Sequence, residues 1–130
     1  MTGEASFIAA LRTLATHPAA RGLADDCAVL DIGGESRVLT HDMMVEGVHW
    51  LPGQDPADIA WKLVAVNLSD LASKGAEPIG VLLGYSFGGD DLRFIDGLRE
   101  ALEAFSTPLL GGDTVEIGRA SCRERVCAIV

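Results

Sequence analysis

Cysteine, basic residues and long apolar runs are all scarce in this sequence. Its 130 residues include three cysteines, an odd number without a C-x-x-C pair, which indicates neither a zinc site nor a disulfide framework. Ten Lys and Arg face nineteen Asp and Glu, and the net charge of −9 disfavours nucleic acid and anionic membranes as partners. No apolar run approaches the roughly 20 residues of a membrane span, and the N-terminus lacks a signal-peptide pattern. These absences predict a cytoplasmic protein with no nucleic-acid or membrane partner.

The apolar content, by contrast, is sufficient for one domain with a core, since 48% of the residues are hydrophobic. Apolar residues at helical spacing predict three helices, over residues 7–14, 55–75 and 90–105. Apolar runs bounded by turn residues predict strands over 27–32, 37–40, 79–86 and 109–110. We therefore expect a mixed α/β fold without internal repeats.

The apolar stripes predict which faces are buried. The stripe of the second predicted helix comprises Ile59, Leu63, Val66 and Leu71. The stripe of the third comprises Leu92, Ile95, Leu98, Leu102 and Phe105. The run over 79–86 is nearly unbroken, a pattern typical of a strand covered on both faces.

Aspartates stand where the pattern places strand ends or a packed helix. Asp25 and Asp26 precede the first strand, Asp42 follows the second, Asp70 lies on the second helix and Asp113 follows Gly-Gly. Sites in α/β folds form beyond strand ends, and Mg²⁺ prefers hard oxygen ligands of this kind. Taken singly, such an aspartate is more often a helix cap or turn former than a metal ligand. Asp70, however, shares a face near the core with Asn67, where a carboxylate needs a cation or several donors.

Phosphate-binding motifs are less distinct. Neither a Walker loop nor a dinucleotide fingerprint occurs, and GGDT at 111–114 is interpreted as a turn whose backbone N–H groups could approach a phosphate. His41 and His49 flank the segment HDMMVEGVHW, which fits either a binding loop or two half-buried structural histidines.

The last fifteen residues differ from the rest, because 116–130 hold three of the ten basic residues and two of the three cysteines. IGRASCRERV at 117–126 also resembles the translated sequence of a DNA-sequencing adapter. We therefore predict a domain over residues 1–115 and a non-native tail over 116–130. The alternative is an ordinary basic strand and turn.

Four segments together resemble a known family. ADDCAVL, THDMMVEGVHW, DPADIAWKLVAVNLSDLASKGAEP and LLGGDT, in this order and spacing, are similar to the N-terminal half of the thiamine-monophosphate kinases, within the aminoimidazole ribonucleotide synthetase superfamily. The resemblance spans residues 22–114. It implies an α/β (α+β) fold with a mixed sheet, helices packed on one face, and strands that pair across a homodimer.

The resemblance also implies an activity: ATP-dependent phosphorylation of thiamine monophosphate to thiamine diphosphate with several Mg²⁺ ions. The implied metal ligands are Asp26, Thr40, Asp42, Asp70 and Asp113. His49 matches a substrate-contacting position, and Gly112 with Asp113 matches the nucleotide-contacting turn. His41 departs from the family's usual Thr, and Ala24 replaces the Gly of its Gly-Asp-Asp.

The resemblance covers only half of the family's length. It implies that a C-terminal domain, absent from this sequence, carries much of the nucleotide and thiamine pocket, so that the chain alone has little activity. Two alternatives are a non-catalytic metal-binding or dimerisation module, and a related ATP-using enzyme with another phosphate acceptor.

Overall fold

The structure is a computed structural model that describes residues 3–116 and, for the backbone only, 124–129. The elements in chain order are α1 Glu4–Arg12, β1 Cys27–Ile32, β2 Glu35–Val45, α2 Pro56–Ser73, β3 Val81–Phe87, α3 Asp91–Ala104, β4 Leu109–Glu116 and β5 Glu124–Ile129. A short 3₁₀ segment, Pro18–Leu23, separates α1 from β1. Three predicted helices and four predicted strands are thus confirmed. Within the described residues, no helix is both long and apolar enough to cross a bilayer.

All five strands form one mixed sheet in the order β1-β2-β5-β3-β4. The β3–β4 pair is parallel, and the other neighbours are antiparallel. Helices α2 and α3 pack against each other, and α2 also contacts β2 and β5. Buried Met44, Val81 and Tyr85 belong to the same core as both helices, so the helices cover one face of the sheet.

The connections follow their sequence signals. Gly33 and Gly34 join β1 to β2 with φ angles of 60° and 81°, which residues with a side chain seldom adopt. At the start of α2, the Asp55 carboxylate accepts the Ala57 N–H at 3.0 Å, and Pro56 occupies the first turn. Gly75, with φ 67°, lies just beyond the end of α2 as a helix terminator.

The predicted buried stripe of α3 is confirmed at Leu98 and Leu102 but wrong at its other positions. Leu92 is 77% exposed and Ile95 45%, whereas Phe94 is 1% exposed. The cause is Gly97, where an added Cβ would lie 2.3 Å from the Ala57 carbonyl oxygen of α2. This close approach turns the face that carries Phe94 and Gly97 toward α2.

The strand predictions need two corrections. First, β3 is covered only in part on the face opposite the helices, since Leu82 is 37% exposed there although Ser86 is buried, whereas Val81 and Tyr85 on the helix side are both buried. Second, Gly111–Thr114 is not a turn: these residues lie within β4, which pairs with β3 over its length. Gly112 has φ 151°, and an added Cβ would lie 1.8 Å from the Leu83 carbonyl oxygen. A glycine is therefore required here by strand packing alone.

The backbone of β5 lies in the centre of the sheet, between β2 and β3. Backbone N–H and C=O groups make these ladder bonds, and every residue except proline carries both groups. Almost any sequence could therefore occupy this central position, so the presence of β5 does not show whether residues 116–130 are native. The non-native tail stays a prediction. Cys122 lies outside the described residues.

The two faces of α3 can be compared by substitution. Phe94→Ala leaves a cavity between α2, α3 and the sheet, and we expect it to lower the free energy of unfolding by about 3 to 5 kcal/mol. Leu92→Ala, on the exposed face, should change it by no more than about 0.5 kcal/mol. Urea unfolding followed by tryptophan fluorescence measures both. Equal losses in the two variants would contradict the orientation of α3.

Candidate functional site

A cavity of about 460 Å³ lies where β1 begins beside the middle of β2. Asp25, Asp26, Thr40, His41 and Asp42 are among the residues that line it. The structure therefore brings together three of the predicted ligands, Asp26 just before β1 and Thr40 and Asp42 on β2. One correction concerns Asp42, which lies within β2, because the strand continues to Val45 instead of ending at residue 40.

Strand alternation sorts these side chains into two sets. Residues two apart on β2 face the same side of the sheet, and Thr40, Asp42 and Met44 are all at least partly buried beneath α2. His41 lies between them on the opposite side and is exposed. This arrangement argues against one ion shared by His41 with Thr40 and Asp42.

Asn67 of α2 fixes the backbone of β2 at Asp42. Its side chain is fully buried, and its Oδ1 accepts the Asp42 N–H at 2.9 Å. Its Nδ2 donates to the Leu63 carbonyl at 2.9 Å and lies 3.5 Å from the Asp42 carbonyl. Because β1 begins at Cys27, opposite Thr40, it offers no partner to Asp42. The Asn67 amide thus makes the contacts with the Asp42 backbone that a neighbouring strand would otherwise make.

Asp70 reaches the same place from the next turn of α2. The Thr40 hydroxyl, which is buried, lies 3.3 Å from the Asp70 carboxylate and 3.0 Å from the Asp26 carbonyl oxygen. A hydroxyl has one proton, so Thr40 donates to only one of these acceptors at a time. Thr40 therefore links β1, β2 and α2 at the centre of the acidic group.

Asp42 carries the clearest electrostatic signature of the site. Burial, a hydrogen bond that the protonated Asp42 carboxyl donates to the Asp70 carboxylate, and the negative charges of Asp70 and Asp26 together raise the pKa of Asp42 to about 6. No ion pair of the described residues involves Asp26, Asp42 or Asp70. In the described part of the chain, these three carboxylates therefore lie near one another without a lysine or arginine partner.

Asp25, next to this group, has a structural role. Its carboxylate pairs with Lys74 at 2.7 Å and Arg21 at 3.1 Å and accepts the Cys27 N–H at 3.3 Å. The hydrogen bond from Lys74, followed by the one from Cys27, lowers the pKa of Asp25 to about 2. Of the adjacent acids at 25 and 26, only Asp26 has no such cation.

The donor set suits a hard divalent cation. Among residues 3–116, no three His, Cys, Asp or Glu side chains converge closely enough to hold an ion between them. Mg²⁺ needs no such cage, because it keeps several waters and binds through one or two carboxylates plus substrate phosphates. Asp42 and Asp70 provide such a carboxylate pair, and Asp26 and Thr40 add further oxygens beside it.

Asp113 and Gly112 do not join the acidic group in this chain. In the sheet, Asp113 pairs with Gly84, Gly84 with Val126 and Val126 with Met43. Three strand spacings place Asp113 about 14 Å from β2. It lines a separate cavity of about 330 Å³ with Gly112 and Thr114. The ligand and nucleotide roles of these two residues stay predictions.

His49 adjoins the acidic group from the other end of β2. With Asp42, Lys62 and Val66 it lines a cavity of about 170 Å³. Lys62 is not among the predicted site residues, although it is the only basic residue of α2 and lies eight residues before Asp70. Residues at intervals of four lie near one another on a helix, and this spacing is the sequence feature that could have predicted Lys62 as a site residue.

The whole arrangement matches one protein family. The family model for the AIR synthase related protein, N-terminal domain, matches residues 24–129, and the chain belongs to that family. Its fold class, a mixed sheet with helices on one face, is thereby confirmed.

Within this family, the chain is similar to thiamine-monophosphate kinases. It is 42% identical to the thiamine-monophosphate kinase of Escherichia coli strain K12 over 98 residues, which cover 72% of this chain and 30% of the relative. It is 34% identical to the solved thiamine-monophosphate kinase of Stenotrophomonas maltophilia K279a, with a TM-score of 0.63 over 95% of this chain and 40% of the other. The structure of AaThiL complexed with AMPPCP and TMP shares the fold at 24% identity, with a TM-score of 0.85 over 98% of this chain and 41% of the other. The chain thus spans about 30% of the length of the curated relative.

The contribution of Asn67 can be measured by replacement with leucine. Asn67→Leu leaves the Asp42 N–H without its partner, and we expect a loss of about 2 kcal/mol in the free energy of unfolding. Ser69→Ala, at an exposed position on the same helix, is the control and should be nearly neutral. A loss below about 0.5 kcal/mol in Asn67→Leu would contradict the structural role of the amide.

The raised pKa of Asp42 predicts a specific pH dependence in the presence of a chelator. Because the folded protein holds the Asp42 proton up to about pH 6, whereas the unfolded chain releases it near 3.8, stability should fall as pH rises through this window. We expect a fall of the order of 1 kcal/mol, since Asp42 is partly solvated. Asp42→Asn should lack this fall.

The lowered pKa of Asp25 acts in a different range. Its contribution is present above pH 3.8 and is lost as pH falls through about 2. It therefore does not overlap with the Asp42 window. Thermal denaturation of wild type and Asp42→Asn from pH 4 to 8 measures the difference, and parallel curves would contradict the assigned pKa.

Proposed function

We propose that this chain provides the magnesium-binding and acceptor-binding part of a thiamine-monophosphate kinase, which transfers a phosphoryl group from ATP to thiamine monophosphate. The observation that carries the proposal is the convergence of Asp26, Thr40, Asp42 and Asp70 beside the His49 cavity. The similarity to thiamine-monophosphate kinases supports it. The AaThiL structure contains AMPPCP, an analogue of ATP, together with TMP.

Phosphoryl transfer requires positioning and charge neutralisation more than covalent chemistry by the protein. A phosphate oxygen of thiamine monophosphate attacks the γ-phosphorus of ATP, and ADP leaves. At neutral pH a phosphate monoester is largely dianionic, with a second pKa of about 6, so its attacking oxygen needs no general base. The protein must instead bring two anions together.

In this proposal Asp42 and Asp70 hold Mg²⁺, with Asp26 and Thr40 as further oxygen ligands. When bound, the metal neutralises phosphate charge and stabilises the transferring group. Asn67 keeps Asp42 in place through its backbone, and Thr40 orients the Asp70 carboxylate. Asp113 and Gly112, about three strand spacings away, would contact the nucleotide and its metal ions.

A homodimer and a cytoplasmic location belong to the same proposal. Met43 and Leu82 are exposed on the sheet face opposite the helices, and β4 is an exposed edge strand throughout. Exposed apolar strands of this kind favour pairing with another chain. The same surface supports the alternative function of a dimerisation module.

The division of roles along the chain is part of the proposal too. Residues 1–115 form the metal-binding domain, and the reaction is that of relatives more than three times as long as the matched region. We expect Mg²⁺ binding by the chain alone but little turnover. Turnover of ATP with a different acceptor would favour the related-enzyme alternative.

Calorimetric titration with Mg²⁺, with and without ATP, tests the metal site. We expect Asp70→Asn to weaken Mg²⁺ binding at least about tenfold, because it removes a charged ligand shared by the acidic group. Asp96→Asn, on the exposed surface of α3 beside Arg99, is the matched control and should bind like wild type. Equal affinities for wild type and Asp70→Asn would exclude Asp70 as a ligand. Phosphorus NMR of ATP with thiamine monophosphate then measures turnover.

A further inference from the structure

The segment that carries His49 is a closed turn held by its own hydrogen bonds. The His49 N–H donates to the Val45 carbonyl at 2.9 Å, and the Val45 N–H donates to His49 Nδ1 at 2.8 Å. Gly47, with φ 81°, donates to the carbonyl of Trp50 at 2.8 Å, and Trp50 is buried in the core. The imidazole is therefore tied to the turn that presents it.

The bond from Val45 determines the chemistry of the ring. A backbone N–H can only donate, so His49 Nδ1 must be the acceptor and cannot carry a proton. A neutral imidazole with an unprotonated Nδ1 carries its proton on Nε2. Among the described residues, His49 Nε2 has no hydrogen-bond partner, and His49 lines the cavity that Asp42 and Lys62 share. His49 thus offers this cavity an N–H donor.

Lys62 connects this turn to α2. Its ammonium group donates to the carbonyl oxygen of His49 itself, the last backbone acceptor before the buried Trp50. Lys62 forms no ion pair with any described residue. The helix that carries Asn67 and Asp70 therefore also determines where the His49 backbone lies.

We propose that Lys62 is a positioning residue that holds the 45–50 turn so that His49 enters the site as the Nε2–H tautomer, a neutral hydrogen-bond donor to the substrate. This inference rests on the proposed function for the identity of the substrate, but not for the tautomer or the contact with Lys62. A donor is the appropriate group here, because the dianionic phosphate acceptor has no proton for a base to remove.

The experiment is long-range ¹H–¹⁵N NMR of the full chain labelled at histidine, recorded at pH 8, where an ordinary imidazole is neutral. His49→Gln assigns the His49 signals. His17 is an internal reference, because its Nδ1 accepts the Ala19 N–H at 3.0 Å, as His49 Nδ1 accepts that of Val45. We expect both rings to show an unprotonated Nδ1 and a protonated Nε2.

Lys62→Met should shift the two His49 nitrogens toward the averaged position of a tautomer mixture and leave His17 unchanged. Lys62→Arg should restore the single tautomer. Lys74→Met is the matched control, since Lys74 lies just beyond the end of α2 and pairs with Asp25. This substitution should leave the His49 signals unchanged. If Lys62→Met fails to fold by circular dichroism, Lys62→Gln replaces it with the same expected shift.

Two results would overturn the inference. A proton on His49 Nδ1 in wild type would exclude the donor tautomer, and identical His49 signals in wild type and the neutral Lys62 variant would exclude the positioning role. Addition of thiamine monophosphate with Mg²⁺ separates this inference from the proposed function. A change in the ¹⁵N chemical shift of His49 Nε2 on this addition supports the inference and the proposed function together. If His49 has the expected tautomer but its chemical shift does not change, only the identity of the substrate is overturned.

Discussion

The buried amide of Asn67 is the interaction on which the site depends. At Asp42, β2 has lost its neighbour on one side, and an unpaired N–H in the core would cost about 1 to 3 kcal/mol. The amide satisfies that N–H from α2 and is itself satisfied by the Leu63 carbonyl. The same contact fixes the height of α2 over the sheet. Asp70, one turn further, is consequently placed against Thr40 and Asp42.

Electrostatics then explain why a packed helix carries a carboxylate. The fold gathers Asp26, Asp42 and Asp70, and burial, followed by the hydrogen bond to Asp70 and the repulsion from Asp70 and Asp26, raises the pKa of Asp42 to about 6. Nearby Asp25 shows the opposite arrangement, with two cations and a pKa of about 2. The surroundings thus shift the pKa values of these two nearby acids in opposite directions. Such separated pKa values are typical of functional groups, although ion-pair networks also produce them.

Local signals in the sequence were sufficient for most elements. Asp55 and Pro56 marked the start of α2, and Gly33-Gly34 marked the turn between β1 and β2. The acidic positions on β2 and α2 were also predictable, because aspartate is unusual beside an apolar stripe. These features depend on residues close in sequence, so they can be predicted from the residue pattern and spacing.

Features that depend on contacts between elements could not be predicted in the same way. The orientation of α3 follows from the approach of Gly97 to Ala57, and glycine contributes nothing to an apolar stripe. The role of Asn67 follows from where β1 begins, which no property of α2 reveals.

The site is also unequal in its degree of preorganisation. On the acceptor side, Asp42, His49 and Lys62 are all tied to α2 or to the 45–50 turn by hydrogen bonds. On the other side, Asp113 lies on an exposed edge strand, two strands beyond β5. Side chains that are already held in place lower the entropic cost of binding a substrate. Exposed side chains, by contrast, lose their freedom only when the substrate binds, and this loss weakens binding. Under the proposed function, the acceptor side is therefore the part that this chain can form by itself, and the nucleotide side is the part that requires further protein surface.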